Sequence, residues 1–412
     1  MENKHKLIDL FSGCGGLLDG FMQTGKYEHI AAVEWMKPQV DTLRKRLKEK
    51  WSINDSNETV LHFDIQRVEE LFSGWKDEKF GSSVGLDRLV DKAGGVDIII
   101  GGPPCQAYSV AGRVRDENGM KDDYRNYLFE HYLSVVHRYQ PKIFVFENVP
   151  GMLSAIPDGT PITDLVRDGF DNIGYDIVQD IKAHAKVDAS DFGVPQARKR
   201  LIIIGVNREQ YSNSDGMLID FYENILPSYK NEHVMTVEDA IGDLPACIPI
   251  YDNESHKKRI SHIKPKCEIS WHEPRYHNIR DMEIFHMLSK DIEVGEHKYA
   301  NSKEISRIYE EKVGSKSPIH RYHVLRKDKP STTIIAHLYK DGNRFIHYDS
   351  KQSRTITPRE AARIQAFDDD FEFVGARGTV YQMIGNAVPP KLAVNIGEAV
   401  NDLLGRHRND LR

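Results

Sequence analysis

An α/β fold on a mostly parallel sheet is what this 412-residue sequence predicts, and three observations predict it. Short β-branched runs recur through the first half of the chain. Segments with helical spacing separate them, and the glycine-rich or polar motifs begin where the runs end. The runs are KLIDLF, HIAAVEW, VLHFDI, VDIIIGG, KIFVFENV, YDIVQDI and RLIIIGV. Several are apolar almost throughout instead of alternating, the pattern of strands covered on both faces. Between two of them NYLFEHYLSVVHRY has helical periodicity, and such alternation makes crossover units. Sheets of this kind bind ligands at the carboxyl ends of their strands.

The first motif, DLFSGCGGLLDGF, follows the first run. Gly13, Gly15 and Gly16 let the backbone turn tightly and approach a ligand. The spacing is neither GxGxxG nor that of a phosphate loop, which favours a nucleoside cofactor over a dinucleotide. Glu34 in AAVEW suits two ribose hydroxyls, Trp35 an adenine face, and Asp64 in HFDI an adenine amine. A glycine turn beside solvated carboxylates is the plainer alternative for any one of these. Three acceptors after three successive strands favour the cofactor.

GGPPCQAYSVAGR raises the sharpest chemical question. A lone cysteine usually belongs to a core, yet Cys105 follows a strand end and two prolines and leads into polar residues. That context fits a nucleophile, which needs a lowered thiol pKa or a nearby base. Glu147 closes the apolar FVF of the next run, where desolvation raises a carboxyl towards a usable acid. A helix cap or an ion pair is the competing role. Arg198 and Arg200 in QARKR sit at alternate positions entering a strand, so they share a face for a phosphate or a carbonyl oxygen. Thiol, acid and cation together suit attack on carbon 6 of a cytosine. That addition turns carbon 5 into an enamine carbon able to accept a methyl group from a sulfonium. The target atom is unreachable inside a duplex, so the base must be extruded.

From 207 to 350 the strand rhythm is lost, and 11 of the 18 histidines fall there. Residues 255–280 carry seven Lys or Arg against two acids, with Trp271 and Tyr276 among them; 312–330 carry six against one. Basic clusters interleaved with aromatics suit a polyanion with stackable bases, a solvated face being the plainer alternative. The last segment is regular again. PREAARIQAF opens at Pro358 and predicts a helix. PPKLAVNIGEAVNDLLG predicts another, with Leu392, Ile396, Ala399, Val400 and Leu403 facing the sheet.

Composition sets outer bounds. With 40% hydrophobic and 29% charged residues the chain is globular, sized for one large domain and a smaller one. No apolar run approaches the roughly 20 residues of a membrane span, and the N-terminus shows no export signal. Four cysteines without a CxxC pair build neither a disulfide framework nor a zinc site, so no metal is expected. A reducing, cytoplasmic setting follows. The net charge of −6 argues against wholesale coating of nucleic acid but leaves room for a local basic surface.

DLFSGCGG, VEW, Phe63–Asp64, GGPPCQAYS, ENVPG, QARKR, RTITPREAARIQAF and YQMIGNAVPP, in this order, resemble the motifs of cytosine-5 DNA methyltransferases. The likeness covers the N-terminal half and roughly the last 60 residues. It implies a Rossmann-like seven-stranded sheet with helices on both faces, 1–206 and 351–412, and an irregular target-recognition domain at 207–350. It further implies S-adenosylmethionine as methyl donor, with S-adenosylhomocysteine as product. Phe11, Gly13, Gly15, Gly16, Leu17, Glu34, Trp35, Asp64, Ile65, Pro104, Leu128, Asn386 and Val388 would line its pocket. Cys105 would be the nucleophile, Glu147 the acid and Arg200 the partner of the cytosine carbonyl. Arg198 would support Arg200 or a phosphate, and Gln106 and Ser109 would close over the flipped base on a mobile loop.

By the same resemblance the partners would be double-stranded DNA and a cognate restriction endonuclease. The protein would be a bacterial, nucleoid-associated monomer with no membrane contact. One branch of the family acts on transfer RNA, but its CFT signature has no counterpart around Cys247 and Cys267. A catalytically silent DNA-binding relative would not need an intact Cys105 and Glu147. A nicotinamide oxidoreductase would share the sheet and Glu34 and leave Cys105 unexplained.

Overall fold

The computed structural model describes residues 4–104, 128–156, 159–299, 301–314, 322–340 and 342–412. They pack as two compact units: Met1–Gly193, Arg198–Glu232 and Ala387–Arg412 form the first, Val194–Ala197 and His233–Asn386 the second. Packing thus divides the chain at other positions than its motifs do. Residues 207–232 join the first unit, and 351–386, which carry RTITPREAARIQ, pack within the second.

The first unit is built on one sheet. Its strands are β1 (His5–Leu10), β2 (Tyr27–Glu34), β3 (Val60–His62), β4 (Ile98–Gly101), β5 (Ile143–Asn148), β6 (Tyr175–Ile177), β7 (Lys186–Asp188) and β8 (Lys199–Asn207). They lie in the order β3–β2–β1–β4–β5–β8–β6, with β7 off this path beside the start of β8. The seven runs supply the seven strands of the path, and β7, which no run announced, is the eighth. β1 to β5 are mutually parallel, while β8 is antiparallel to β5, β6 and β7. Ile98–Ile100, Ile143–Val145 and Leu201–Ile204 are all fully buried, which requires cover on both faces. Helices α1 (Gly16–Gln23) and α2 (Lys37–Glu49) follow β1 and β2; α3 (Leu128–Tyr139) lays Tyr132 against Phe146, and α4 (Ile162–Asn172) stacks Phe170 on Phe144 at 4.0 Å. The C-terminal α9 (Pro390–Arg406) returns to the sheet as expected. Leu392, Ile396, Ala399, Val400 and Leu403 are buried, and the Tyr27 hydroxyl donates to its Gly397 carbonyl at 2.5 Å.

Asp9 is the anomaly of this core. It stands one residue before the end of β1, 1% exposed, and neither carboxyl oxygen has a hydrogen-bond partner among the described residues. Burial, and then the charge of Glu34, hold its pKa well above the usual carboxylate range. The folded protein therefore keeps a proton that the unfolded chain releases. Stability is lost as pH rises from the usual carboxylate range towards the folded pKa, at about 1.4 kcal/mol per pH unit in that window. Asp9→Asn cannot titrate, so its melting temperature should exceed that of the wild type at pH 8 and the gap should close towards pH 4. Melts at several pH values check this; a gap independent of pH would contradict it.

The second unit has little regular sheet and is held differently. A ribbon pairs Ile248–Pro249 with His262–Ile263, and α5 (Ile279–Val294) and α6 (Ser302–Val313) share a small apolar cluster around Phe285, Leu288 and Ile308. Two more helices follow, α7 (Pro358–Ile364) and α8 (Arg377–Asn386). Loops buried between them leave backbone carbonyls to satisfy, and buried arginines do it. Arg359, fully buried, donates to the carbonyls of Ser270, Asp368 and Phe371 at 2.9–3.0 Å. Arg354 donates twice to Glu360, at 2.6 Å each, while the Glu360 carboxylate caps α7 through the Thr357 amide at 2.7 Å. Among the described residues no helix is long and apolar enough to cross a membrane.

Candidate functional site

Register, not sequence proximity, assembles the site. Leu61, Val33, Leu10, Gly101, Phe146 and Ile203 are successive partners across β3, β2, β1, β4, β5 and β8. Residues next in the chain therefore emerge together at one edge of the sheet: Glu34 after β2's Val33, Phe11 after β1, Gly102 after β4 and Glu147 beyond Phe146. The order reverses about β1 and β4, where the connections diverge and leave a crevice. β8 runs the opposite way, so its beginning reaches this same edge.

At β1 the chain turns through Phe11, Gly13 and Gly15, all with left-handed backbone (φ 57°, 55° and 92°). Only glycine adopts this at no steric cost. A Cβ on Gly15 would also stand 2.5 Å from Leu43 Cδ1. Phe11 shares the conformation without being glycine, the kind of local strain that gathers at ligand sites. The turn delivers the Gly13 amide to Glu34 Oε2 at 2.9 Å, while the Met36 amide donates to Oε1 at 2.8 Å. Burial raises the Glu34 pKa against these two amides. Trp35 beside it leaves about half its surface free (49% exposed), with Lys79 Nζ 5.8 Å from its ring centre. Asp64 takes the Gln66 amide at 3.1 Å and is partly exposed, whereas Ile65, Gly16 and Leu17 are buried. A Cβ on Gly13 would have nothing within 4 Å, so the turn opens onto free space. An aromatic face, a carboxylate and open room beside glycine backbone are the parts a nucleoside needs. These residues fit the nucleoside half of S-adenosylmethionine.

The second cluster belongs to β5 and β8. Because β8 is antiparallel, Ile202 pairs with Glu147, and Arg200 Nε meets Glu147 Oε1 at 2.7 Å. Both side chains are little exposed (12% and 13%). Burial pulls the Arg200 pKa down, and Glu147 pushes it back up. The other carboxyl oxygen lies over Gly102, where any Cβ would stand 2.6 Å from it. Asn148 Nδ2 reaches the Pro103 carbonyl at 3.4 Å and so ties the strand end to the proline turn. That turn leads directly to Cys105, which lies outside the described residues, as do Gln106 and Ser109.

Arg198 shares the face of Arg200, with the exposed Lys199 between them, as the alternation predicts. It is 1% exposed and donates through Nη2 to the Ala387 carbonyl at 3.0 Å, one residue before Val388. This contact ties the start of β8 to the GNAVPP segment. Pro104 is exposed, Leu128 and Val388 are buried, and Asn386 ends α8 in the second unit.

Asp9, Lys79 and Asn148 belong to this neighbourhood and escaped sequence reasoning. An acid inside an apolar strand was a visible signal for Asp9. Asn148 lies in the ENVPG motif without having been singled out, and Lys79 carried no signal, since only its contact marks it. Two of the described cysteines are poor competitors for Cys105: burial pushes the Cys14 thiol up to about 12 and the Cys247 thiol to about 11.

Comparison with known proteins accords with this arrangement. A family model described as C-5 cytosine-specific DNA methylase matches residues 5–402. Type II methyltransferase M.Bpa9945I of Bacillus paralicheniformis is 32% identical, covering 97% of this chain and 99% of its own. Type II methyltransferase M1.HphI of Haemophilus parahaemolyticus is also 32% identical, over 95% of this chain and 86% of its own. Among solved structures, a prophage-encoded E. coli protein described as a DNA modification methyltransferase has a TM-score of 0.59 and 26% identity. It covers 98% of this chain and 100% of its own. The S. pombe Dnmt2 methyltransferase, at TM-score 0.54 and 14% identity, shares the fold over 98% of this chain and 99% of its own.

Proposed function

The chain belongs to the C-5 cytosine-specific DNA methylase family, and from that premise we propose how its residues divide the work of methylating a cytosine in duplex DNA. Members of this family take the methyl group from S-adenosylmethionine, which supplies an electrophilic carbon when bound. Glu34 and Trp35 hold its ribose and adenine, Asp64 its adenine amine, and the turn from Phe11 to Leu17 the rest. Ile65, Pro104, Leu128 and Val388 complete the pocket. The likeness to type II methyltransferases supports a place in a restriction–modification system, with a cognate endonuclease as partner. Residues 207–350, most of which lie in the second unit, serve target recognition, and a cytoplasmic location follows from the substrate.

One observation carries the catalytic assignment: Glu147 and Arg200 are joined at 2.7 Å at the strand edge from which the Cys105 turn departs. In the reaction the Cys105 thiolate bonds to carbon 6 of the extruded cytosine. Glu147 delivers a proton to ring nitrogen 3, so the electrons displaced by sulfur need not rest as an isolated anion. Arg200, already beside Glu147, donates to the carbonyl oxygen. Carbon 5, now an enamine carbon, would take the methyl group as its bond to the sulfonium sulfur breaks and leaves S-adenosylhomocysteine. Loss of the carbon 5 proton to a base would then expel the thiolate, and return of the nitrogen 3 proton to Glu147 would restore the ring. Arg198 acts at a distance by fixing β8 to the chain before Val388.

Incubation with labelled S-adenosylmethionine and either duplex DNA or transfer RNA tests this reading. Label is expected in the duplex alone, at carbon 5 of cytosine. Label in transfer RNA and not in DNA would replace the substrate, and label in neither would make the protein a silent binder.

A further inference from the structure

The ribbon of the second unit carries a tip whose construction exceeds what folding needs. Beyond the pairs Ile248–Ile263 and Pro249–His262, the Ile250 amide donates to Ser261 at 2.9 Å, and the chain turns through Asn253–Lys257. The root of the ribbon is fixed, since His262 is 5% exposed and meets the Gln352 carbonyl at 2.9 Å. The tip itself, Lys257-Lys258-Arg259-Ile260, is exposed throughout. Arg259 adopts left-handed backbone there (φ 59°), locked by its amide donating to His256 and that of Ile260 to Ser255, each at 2.9 Å. Non-glycine residues hold such a conformation where surrounding bonds over-determine it, and such places cluster at functional sites.

The guanidinium of Arg259 lies 5.3 Å over the Tyr276 ring. That ring is itself propped by His256, 5.7 Å away, whose Nε2 donates to the Ile250 carbonyl at 2.7 Å. Lys257 is paired with Glu254 and Lys264 with Glu273, but no carboxylate among the described residues lies in ion-pair range of Arg259. A guanidinium stacked on an aromatic ring keeps its N–H edge in one fixed plane, free for a bidentate acceptor, and has little rotamer freedom left to lose. The surrounding charge is complementary to a polyanion, with seven cations to two acids over 255–280.

We propose that Arg259 is a specificity-determining residue that reads the O6 and N7 edge of a guanine in the target duplex, with Tyr276 as its positioning platform. The assignment rests on the second unit serving target recognition. Arginine fits that edge with two parallel hydrogen bonds, which no other base offers. A phosphate offers the same paired acceptors, and the test separates the two.

Randomised duplexes are selected by binding to the full-length protein, and the bound pool is sequenced for wild type, Arg259→Lys and Tyr276→Leu. Arg259→Lys keeps the charge and loses the fork. Enrichment for guanine at one position should fall about 5- to 150-fold, with other positions unchanged. Tyr276→Leu should weaken the same position to a smaller extent. A uniform loss of affinity in Arg259→Lys with the sequence preference intact would make the contact a phosphate, and an unchanged pool would remove the contact altogether; either overturns the proposal. Arg259 is exposed, and equal melting temperatures confirm that Arg259→Lys folds. Selected duplexes that are bound but receive no methyl group would sink the enzymatic reading and leave the assignment of Arg259 standing.

Discussion

Cys105→Ser is expected to lose methyl transfer on the order of 10⁴-fold or more while still binding cofactor and duplex. A hydroxyl ionises far less readily than a thiol and adds poorly to a pyrimidine. Cys14 and Cys247 are buried, with thiols pushed up to about 12 and about 11, and so are poor substitutes. A duplex with 5-fluorocytosine at the target gives the sharpest readout. Fluorine at carbon 5 cannot leave as a proton does, so the wild type should remain covalently attached and Cys105→Ser should not. Adduct in Cys105→Ser would overturn the assignment. Glu147→Gln should fall less, by about 10² to 10⁴ in kcat, because it removes proton transfer and leaves the nucleophile. It also leaves the guanidinium of Arg200, 12% exposed, without its carboxylate, so some loss of thermal stability should accompany it.

The largest effect on stability is expected in the second unit, at Glu360. Its carboxylate is 1% exposed and accepts both terminal nitrogens of Arg354 at 2.6 Å, as well as the Thr357 amide. Glu360→Gln would leave a buried guanidinium facing a neutral amide, and removal of one partner from a buried pair costs about 3–5 kcal/mol. The second unit should melt well before the first, with recognition of DNA lost along with it. Arg354→Met combined with Glu360→Leu should recover much of that loss, because neither charge is then stranded. Arg354 holds the Glu360 pKa far below the usual carboxylate range against the cost of burial. The stabilisation is therefore complete above the unfolded carboxylate range and lost only as pH falls through it towards the folded pKa. Calorimetry of wild type and Glu360→Gln at pH 7 and pH 3 should show the gap narrowing in acid. An equal gap at both would contradict the account.

The sequence by itself determined the strands, because a strand buried on both faces must be apolar nearly throughout, and KIFVFENV or RLIIIGV admits no other reading. It determined the helix of PPKLAVNIGEAVNDLLG by the same logic of spacing. The chemistry-bearing residues were legible for a related reason: Glu34, Glu147 and the glycine turn interrupt or end those runs, and polar groups at strand ends face solvent or ligand. What no local pattern encodes is register. That Glu147 meets Arg200 depends on β8 running antiparallel to β5, a choice made by packing the whole sheet. Asp9 stood out as an acid in an apolar run, but only packing left its carboxyl without a hydrogen-bond partner among the described residues. In the second unit, loops buried against each other are stabilised by arginines distant in sequence, and Arg259 rests on a tyrosine 17 positions away. Periodicity carries information only along one element, whereas contacts between irregular segments exist only once the chain has closed on itself.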